Sequence, residues 1–285
     1  MMGKKLSRRE KMKTQSDGVR GSLRQSIELD NHTGAVRTGD ETLIKFHGMY
    51  VQDNRDRRDE RALKKLDKLY SFMIRLRIPG GVITATQWLA THEISEQYGT
   101  GTLKITTRQT LQLHGLLKHQ LRPTIKAFNT AKLDSIAACG DVNRNVIVSS
   151  HPQVSAIHRQ VYEYADKIST LLLPKTQAYY EVFIDGEKIY ERSAEADPLY
   201  EERYLPRKFK IAIAIPPTND VDVFTNDVGL IAIIENNQLL GFNIAIGGIN
   251  PRHVPGYLSY NSCGYFNRAY LELCFYTTPG YAKYK

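Results

Sequence analysis

Residues 103–115 read Leu103-Lys104-Ile105-Thr106-Thr107-Arg108-Gln109-Thr110-Leu111-Gln112-Leu113-His114-Gly115, and their polarity alternates with a period of two. Leu103, Ile105, Thr107, Leu111 and Leu113 take the odd positions, with Gln109 the exception. Lys104, Thr106, Arg108, Thr110, Gln112 and His114 take the even ones. This pattern marks a strand with one buried and one polar face. At ~3.3 Å per residue the run would extend ~40 Å. Strands are rarely that long, so a bend or break is expected near Arg108 or Gln109.

Upstream, Phe72, Ile74, Leu76 and Ile78 alternate with Met73, Arg75 and Arg77 until Pro79-Gly80-Gly81 ends the run. A second strand with one apolar face is expected there, with Arg75 and Arg77 sharing the polar face. Thr84-x-x-Gln87 has the form of a capping box opening a helix that Gly99 closes. Residues 53–68 alternate charge sign at helical spacing and read as a solvated helix start. Residues 1–40 are polar without a sustained apolar period and read as an extended arm, ordered where it docks.

Downstream, residues 122–131 read as a short helix. Val154, Ile157, Val161, Tyr164, Ala165, Ile168, Leu171 and Leu172 recur at three and four, an amphipathic helix stopped by Pro174. Tyr180–Ile184 and Phe209–Ile215 read as strands. Val228–Ile234 and Leu239–Ile246 flank Glu235-Asn236-Asn237-Gln238 as a hairpin. Strands and helices in mixed order imply an α+β fold. Residues 249–285 hold seven of the 17 tyrosines, two of the three cysteines and one acid, Glu272, a composition shift of the kind seen at a domain boundary or in a segment read out of frame, which sets them apart as a tail.

The chain of 285 residues carries a net charge of +9, and residues 1–27 hold eight basic residues against two acids. The rest is mildly basic, so nucleic-acid binding is not the first reading, although a basic arm keeps it as an alternative. Cys139, Cys263 and Cys274 include no CxxC pair, which argues against a disulfide scaffold and a zinc ribbon and fits a reducing compartment. No signal peptide is expected, and the apolar runs Ile211–Ile215 and Leu230–Ile234 are too short to span a membrane, so a cytoplasmic location is expected. Gly99-x-Gly101 follows a helix and lacks a third glycine, no Walker A is present, and the histidines have no metal-ligand spacing.

What stands out is cationic. Arg75 and Arg77 are two apart on one strand, Lys208 and Lys210 two apart on another, and Arg144 follows a turn. Like charges on neighbouring same-face positions repel unless solvent or an anion offsets them. Arg forks and Lys point charges aimed at one pocket suit a small oxyanion or a polycarboxylated cofactor, and crowded lysines can release protons.

Four stretches then carry a resemblance: Arg75-Leu-Arg77-Ile-Pro-Gly-Gly81, Thr106-Thr-Arg108-Gln-Thr-x-Gln112-x-His114-Gly115, Cys139-Gly-Asp-Val-Asn-Arg144-Asn145-Val146 and Leu205-Pro-Arg-Lys208-Phe-Lys210. In this order they resemble the nitrite/sulfite reductase family, in particular its assimilatory sulfite reductase hemoproteins, over residues 40–248. The resemblance implies a truncated N-terminal half: an arm and charged helix (1–66), a ferredoxin-like half-domain (67–134) and part of a mixed α/β siroheme-binding domain (135–248). It implies six-electron reduction of sulfite to sulfide at siroheme coupled to a [4Fe–4S] cluster, in sulfate assimilation and cysteine biosynthesis. An NADPH-dependent flavoprotein alpha component is the implied electron donor. By motif, Arg75, Arg144, Lys208 and Lys210 would surround the substrate anion. Lys104, Thr106, Arg108, Gln112, His114 and Asn145 would hold the siroheme. Lys210 would favour sulfite over nitrite, with siroheme nitrite reduction the alternative within the family. The family's paired cluster cysteines are not among residues 1–285, so this chain alone is expected to be inactive and to ligate no metal.

Overall fold

The computed structural model describes residues 6–149, 151–184 and 197–247, which form two compact units. The first takes in residues up to Val146 together with Asp166–Phe209. The second takes in Ile147–Ala165 together with residues from Lys210 onward. The expected tail 249–285, with Cys263 and Cys274, lies outside the described residues.

In the first unit, the N-terminal stretch is folded rather than extended. It carries α1 (Arg8–Thr14), α2 (Leu23–Glu28) and α3 (Asp40–Leu43). Ser7 and Glu10 form a reciprocal capping box at the start of α1. Val19, Leu23, Ile27, Ala35 and Val36 are buried, and the Asp40 carboxylate accepts from Ser22 N, Ser22 Oγ and Ser26 Oγ. Polar composition concealed this because serines and an aspartate satisfy one another inside.

Four strands follow: β1 (Met49–Asp53), β2 (Tyr70–Arg75), β3 (Leu103–Ile105) and β4 (Leu111–Leu116), with α4 (Arg58–Leu63) and α5 (Ala85–Tyr98) between them. They form an antiparallel sheet in the order β1-β2-β4-β3. The break expected near Arg108 is a full reversal: β3 and β4 pair as a hairpin, with Gln109 in the left-handed region at φ 50°. Leu111 and Leu113 are buried as expected, whereas Ile105, on the edge strand, is 78% exposed. The capping box at Thr84 and Gln87 opens α5, and Gly99 ends it in an extended rather than left-handed conformation. Helix α6 (Leu121–Thr130) follows β4 and buries Leu121, Ile125 and Phe128 on one face, each stabilising by ~1.5–3 kcal/mol. Residues 180–184, expected as a strand, form one π-helical turn with Val182 and Phe183 buried. A five-residue stretch, here apolar and aromatic except for Glu181, does not fix its own period.

Helix α7 (Ala156–Leu171) belongs to the second unit up to Ala165 and to the first unit beyond it. The second unit holds β5 (Ile147–Val148), β6 (Ile211–Ala214), β7 (Val228–Glu235) and β8 (Gln238–Ile246) in that spatial order. β5–β6 and β6–β7 are parallel, and β7–β8 is the expected hairpin. All four residues of β6 are buried, as a central parallel strand requires. Asn236 and Asn237 both have positive φ, 48° and 57°, which matches a two-residue turn of the type that fits strand twist. Ile147, Ala212, Ala214, Val221 and Val223 form the local core.

Candidate functional site

The site is assembled on the polar face of the first unit's sheet and on the loop after Ala138. Antiparallel register sets Lys104 opposite Gln112 and Gln112 opposite Arg75, so the three side chains form one row across β3, β4 and β2. The Gln112 carboxamide faces its oxygen to the guanidinium. Oε1 accepts from Arg75 Nε at 3.0 Å and from Nη2 at 2.5 Å, and Nε2 donates to His114 Nε2 at 3.1 Å. His114 Nδ1 then donates to Gln52 Oε1 at 3.0 Å. Burial, with the charges of Lys104 and Arg75, holds the His114 pKa below the ordinary imidazole range, in keeping with this neutral tautomer. The relay thereby fixes the direction in which Arg75 points.

Arg75 lies over the Tyr50 ring at 5.9 Å, and its Nη1 donates to Cys139 Sγ at 3.2 Å. Arg144 is 8% exposed; its Nε donates to Gly140 O at 2.9 Å and its Nη1 to Ala138 O at 2.8 Å. The loop curls around its own guanidinium, and Gly140 permits this with φ +90° and a backbone pressed on Phe46. No carboxylate pairs with Arg75 or Arg144 among the described residues. The positive charges of both arginines bear on Cys139, whose buried thiol has its pKa raised because desolvation outweighs them and the hydrogen bonds from Tyr50 and Arg75. Arg75 thus bonds the Cys139 sulfur directly, while Arg144, five residues further on, acts on it through its charge alone.

Residues 205–209 run beside 141–144. Leu205 N donates to Asp141 O at 3.0 Å, Phe209 N to Val142 O at 3.0 Å and Arg144 N to Phe209 O at 2.8 Å. Lys208 sits on this segment, exposed, next to the Arg144 rung. Asn143 Oδ1, in the same loop, is buried without a donor among the described residues. Lys210 begins the second unit, half-buried, and its N–H donates to Asp227 Oδ2 at 2.8 Å.

Three residues expected at a cofactor have internal partners. Thr106 Oγ1 accepts from Arg108 N at 3.2 Å in the β3–β4 turn. Arg108 Nε and Nη2 donate to Asn145 O at 3.1 and 2.6 Å. The buried Asn145 side chain bonds Ile78 N and O and Arg108 O. Arg77 does not share a free face with Arg75. Strand β2 ends at Arg75, and Arg77 forks onto Asp134 at 3.1 and 2.6 Å and reaches Ser169 Oγ. Tyr50 and Gln52 were not legible as site residues, because β1 carries no clear alternation.

The nitrite/sulfite reductase ferredoxin-like half-domain model matches residues 64–131, and the nitrite and sulphite reductase 4Fe-4S domain model matches residues 163–274. The sulfite reductase [NADPH] hemoprotein beta-component of Leptospira biflexa is 63% identical over 86% of this chain and 44% of its own length. That of Staphylococcus epidermidis is 51% identical over 87% of this chain and 43% of its own length. The structure of the Mycobacterium tuberculosis NirA protein matches 86% of this chain and 41% of its own, with a TM-score of 0.59 and 21% identity, which supports the fold. The chain thus spans less than half the length of the curated relatives it matches. Among the described residues no helix is long and apolar enough to cross a membrane. From its two domain models and from relatives this similar, the chain belongs to the nitrite and sulfite reductase family.

Proposed function

We propose that this chain builds the anion-binding side of a siroheme sulfite reductase. The observation that carries the reading is that Arg75 bonds the Cys139 sulfur and Arg144 adds its charge there, with no carboxylate paired with either among the described residues. A buried guanidinium left without a carboxylate is costly, and an oxyanion offsets that cost through charge-assisted, bidentate bonds. Sulfite fits, since its oxygens can accept from the N–H groups these internal bonds leave over, chiefly on Arg144 Nη2. Lys208, exposed beside Arg144, supplies a mobile cation and a proton for oxygen leaving as water. The resemblance alone adds Lys210 to this set.

The row Lys104–Gln112–Arg75, with His114 behind it, suits the carboxylates of siroheme. Thr106, Arg108 and Asn145 shape that rim by fixing the β3–β4 turn to the Arg144 loop. When bound, siroheme supplies the iron centre at which sulfur is reduced. The residues present do not fit a [4Fe–4S] cluster. Such a centre takes four thiolates, and this chain has three cysteines, of which Cys139 is a buried thiol with a raised pKa. Cluster ligation falls to residues outside this stretch of sequence, and electron supply to a flavoprotein alpha component, the relatives' name of beta-component implying an alpha partner. Residues 67–134 act as the ferredoxin-like half-domain and 135–248 as part of the siroheme-binding domain, a division supported by the family match at 64–131.

The test is calorimetric titration of the chain with sulfite, followed by co-expression with a segment carrying the cluster cysteines in cells that make siroheme. Sulfite binding that weakens in Arg75→Gln, and a complex with visible siroheme absorption, are the expected results. A wild-type chain that binds no sulfite and a colourless complex would overturn the reading.

A further inference from the structure

We propose that Lys13, in the N-terminal helix, is a positioning residue that fastens together the two cationic segments of the site. This rests on the anion-binding reading for its functional half and on geometry for the rest.

Lys13 lies near the end of α1, in the stretch whose composition marked it as a basic arm, yet it is 2% exposed. Its Nζ donates to Leu205 O at 2.7 Å and to Asp141 Oδ2 at 3.2 Å. These acceptors belong to different segments. Asp141 sits between Cys139 and Arg144, and Leu205 stands three residues before Lys208. The same two residues form the first rung between the segments, Leu205 N to Asp141 O at 3.0 Å. The later rungs are Phe209 N to Val142 O and Arg144 N to Phe209 O. The ammonium therefore closes the end of a ladder whose other end carries Arg144 and Lys208.

An arm that merely needed to adhere would gain nothing from burying a charge. Desolvating an ammonium is unfavourable unless its donors are met, and here a carboxylate and a carbonyl meet them. The other buried lysine among the described residues, Lys118, reaches back 83 to 88 positions but meets a single segment, the carbonyls of Asp30, Thr33 and Ala35 just after α2. Lys13 instead spans 128 and 192 positions of sequence to reach its acceptors, and both acceptors flank cationic residues. Removing it leaves Asp141, 17% exposed, without its ion-pair partner and three residues from Arg144 in the same loop. A loosened Asp141 could then compete for that guanidinium against an incoming anion.

The experiment compares the full chain with Lys13→Met, Lys13→Arg and Asp141→Asn. Hydrogen–deuterium exchange is followed at 139–146 and 203–209, with α6 as internal reference. Lys13→Met is expected to speed exchange ~10-fold or more in both segments while leaving α6 unchanged, as local opening does. Asp141→Asn should do the same, and the double variant should add little more. Sulfite affinity by calorimetry should fall ~10-fold in Lys13→Met and recover in part in Lys13→Arg, since charge and length are restored. Unchanged exchange in either segment overturns the proposal, as does unchanged sulfite affinity in a Lys13→Met chain whose wild type binds. If the wild type binds no sulfite, the anion reading fails and exchange alone decides whether Lys13 fastens the two segments. If Lys13→Met does not fold, Asp141→Asn and Lys13→Arg carry the same comparison.

Discussion

Asn145 treats Ile78 as a strand partner: its Oδ1 accepts from Ile78 N at 2.8 Å and its Nδ2 donates to Ile78 O at 2.6 Å. One side chain thus replaces a length of sheet at the point where β2 has ended, and it also holds the carbonyl of Arg108 at 2.8 Å. Replacing Asn145 by Leu strands a buried N–H and two carbonyls. The expected cost is about 3 kcal/mol or more, since each of the three unsatisfied groups costs about 1–3 kcal/mol. Urea unfolding of Asn145→Leu should show a lower midpoint at unchanged slope.

Arg75 and Arg77 should part company on mutation. Arg77 is committed to Asp134, so Arg77→Met should cost about 1–3 kcal/mol of stability by leaving a partly buried carboxylate unpaired, with sulfite affinity nearly intact. Arg75 has neutral partners, so Arg75→Gln should leave the unfolding midpoint within about 1 kcal/mol of wild type. Its sulfite affinity should fall ~10–100-fold through loss of a charged fork. Calorimetry and urea melts on the two variants read both quantities.

His47 supplies a pH dependence. It is buried against Phe183 and Tyr179, bonded to Val19 O, and its pKa is lowered to about 4, chiefly by burial. The unfolded chain therefore takes up a proton near pH 6.5, before the folded one does. Stability contributed by the neutral ring is present above that pH and is lost as pH falls toward about 4. The slope is about 1.4 kcal/mol per pH unit inside the window. His47→Gln should flatten the stability profile between those limits, measured by urea midpoints at a series of pH values.

The neutral state of His114 should matter to Arg75. Protonating His114 removes the acceptor for Gln112 Nε2 and places a cation behind the row. Replacing His114 by Gln should keep a hydrogen-bonding relay and preserve sulfite affinity. His114→Leu should free Gln112 and weaken affinity ~3–10-fold, the worth of one orienting hydrogen bond. Equal affinities for the two variants would show that the relay does not orient Arg75.

Much of this was readable from residue order because local chemistry dictated it. The Thr84–Gln87 box, the amphipathic faces of α6 and α7 and the Asn236-Asn237 turn are encoded within a few positions of where they act. The direction of β3 and β4 was not. Alternation keeps its parity through a reversal, and the turn at 106–110 has no glycine or proline, using Gln109 at φ 50° instead. The cationic residues were visible as types, but not their division of labour. Arg77 depends on Asp134, Arg108 on Asn145 and the N-terminal helix on Asp141, all partners remote in sequence.

Burial pushes the Cys139 thiol pKa up despite the Arg75 and Arg144 charges, which matters under the proposed role in binding sulfite. Sulfite is itself a sulfur nucleophile, and it cleaves disulfides to leave one partner as an S-sulfonate. A lone, neutral thiol offers it no electrophilic sulfur, and is slow to become one by oxidation because the thiolate is the reactive form. On the proposed reading, the Cys139 sulfur is thereby kept chemically silent toward the anion.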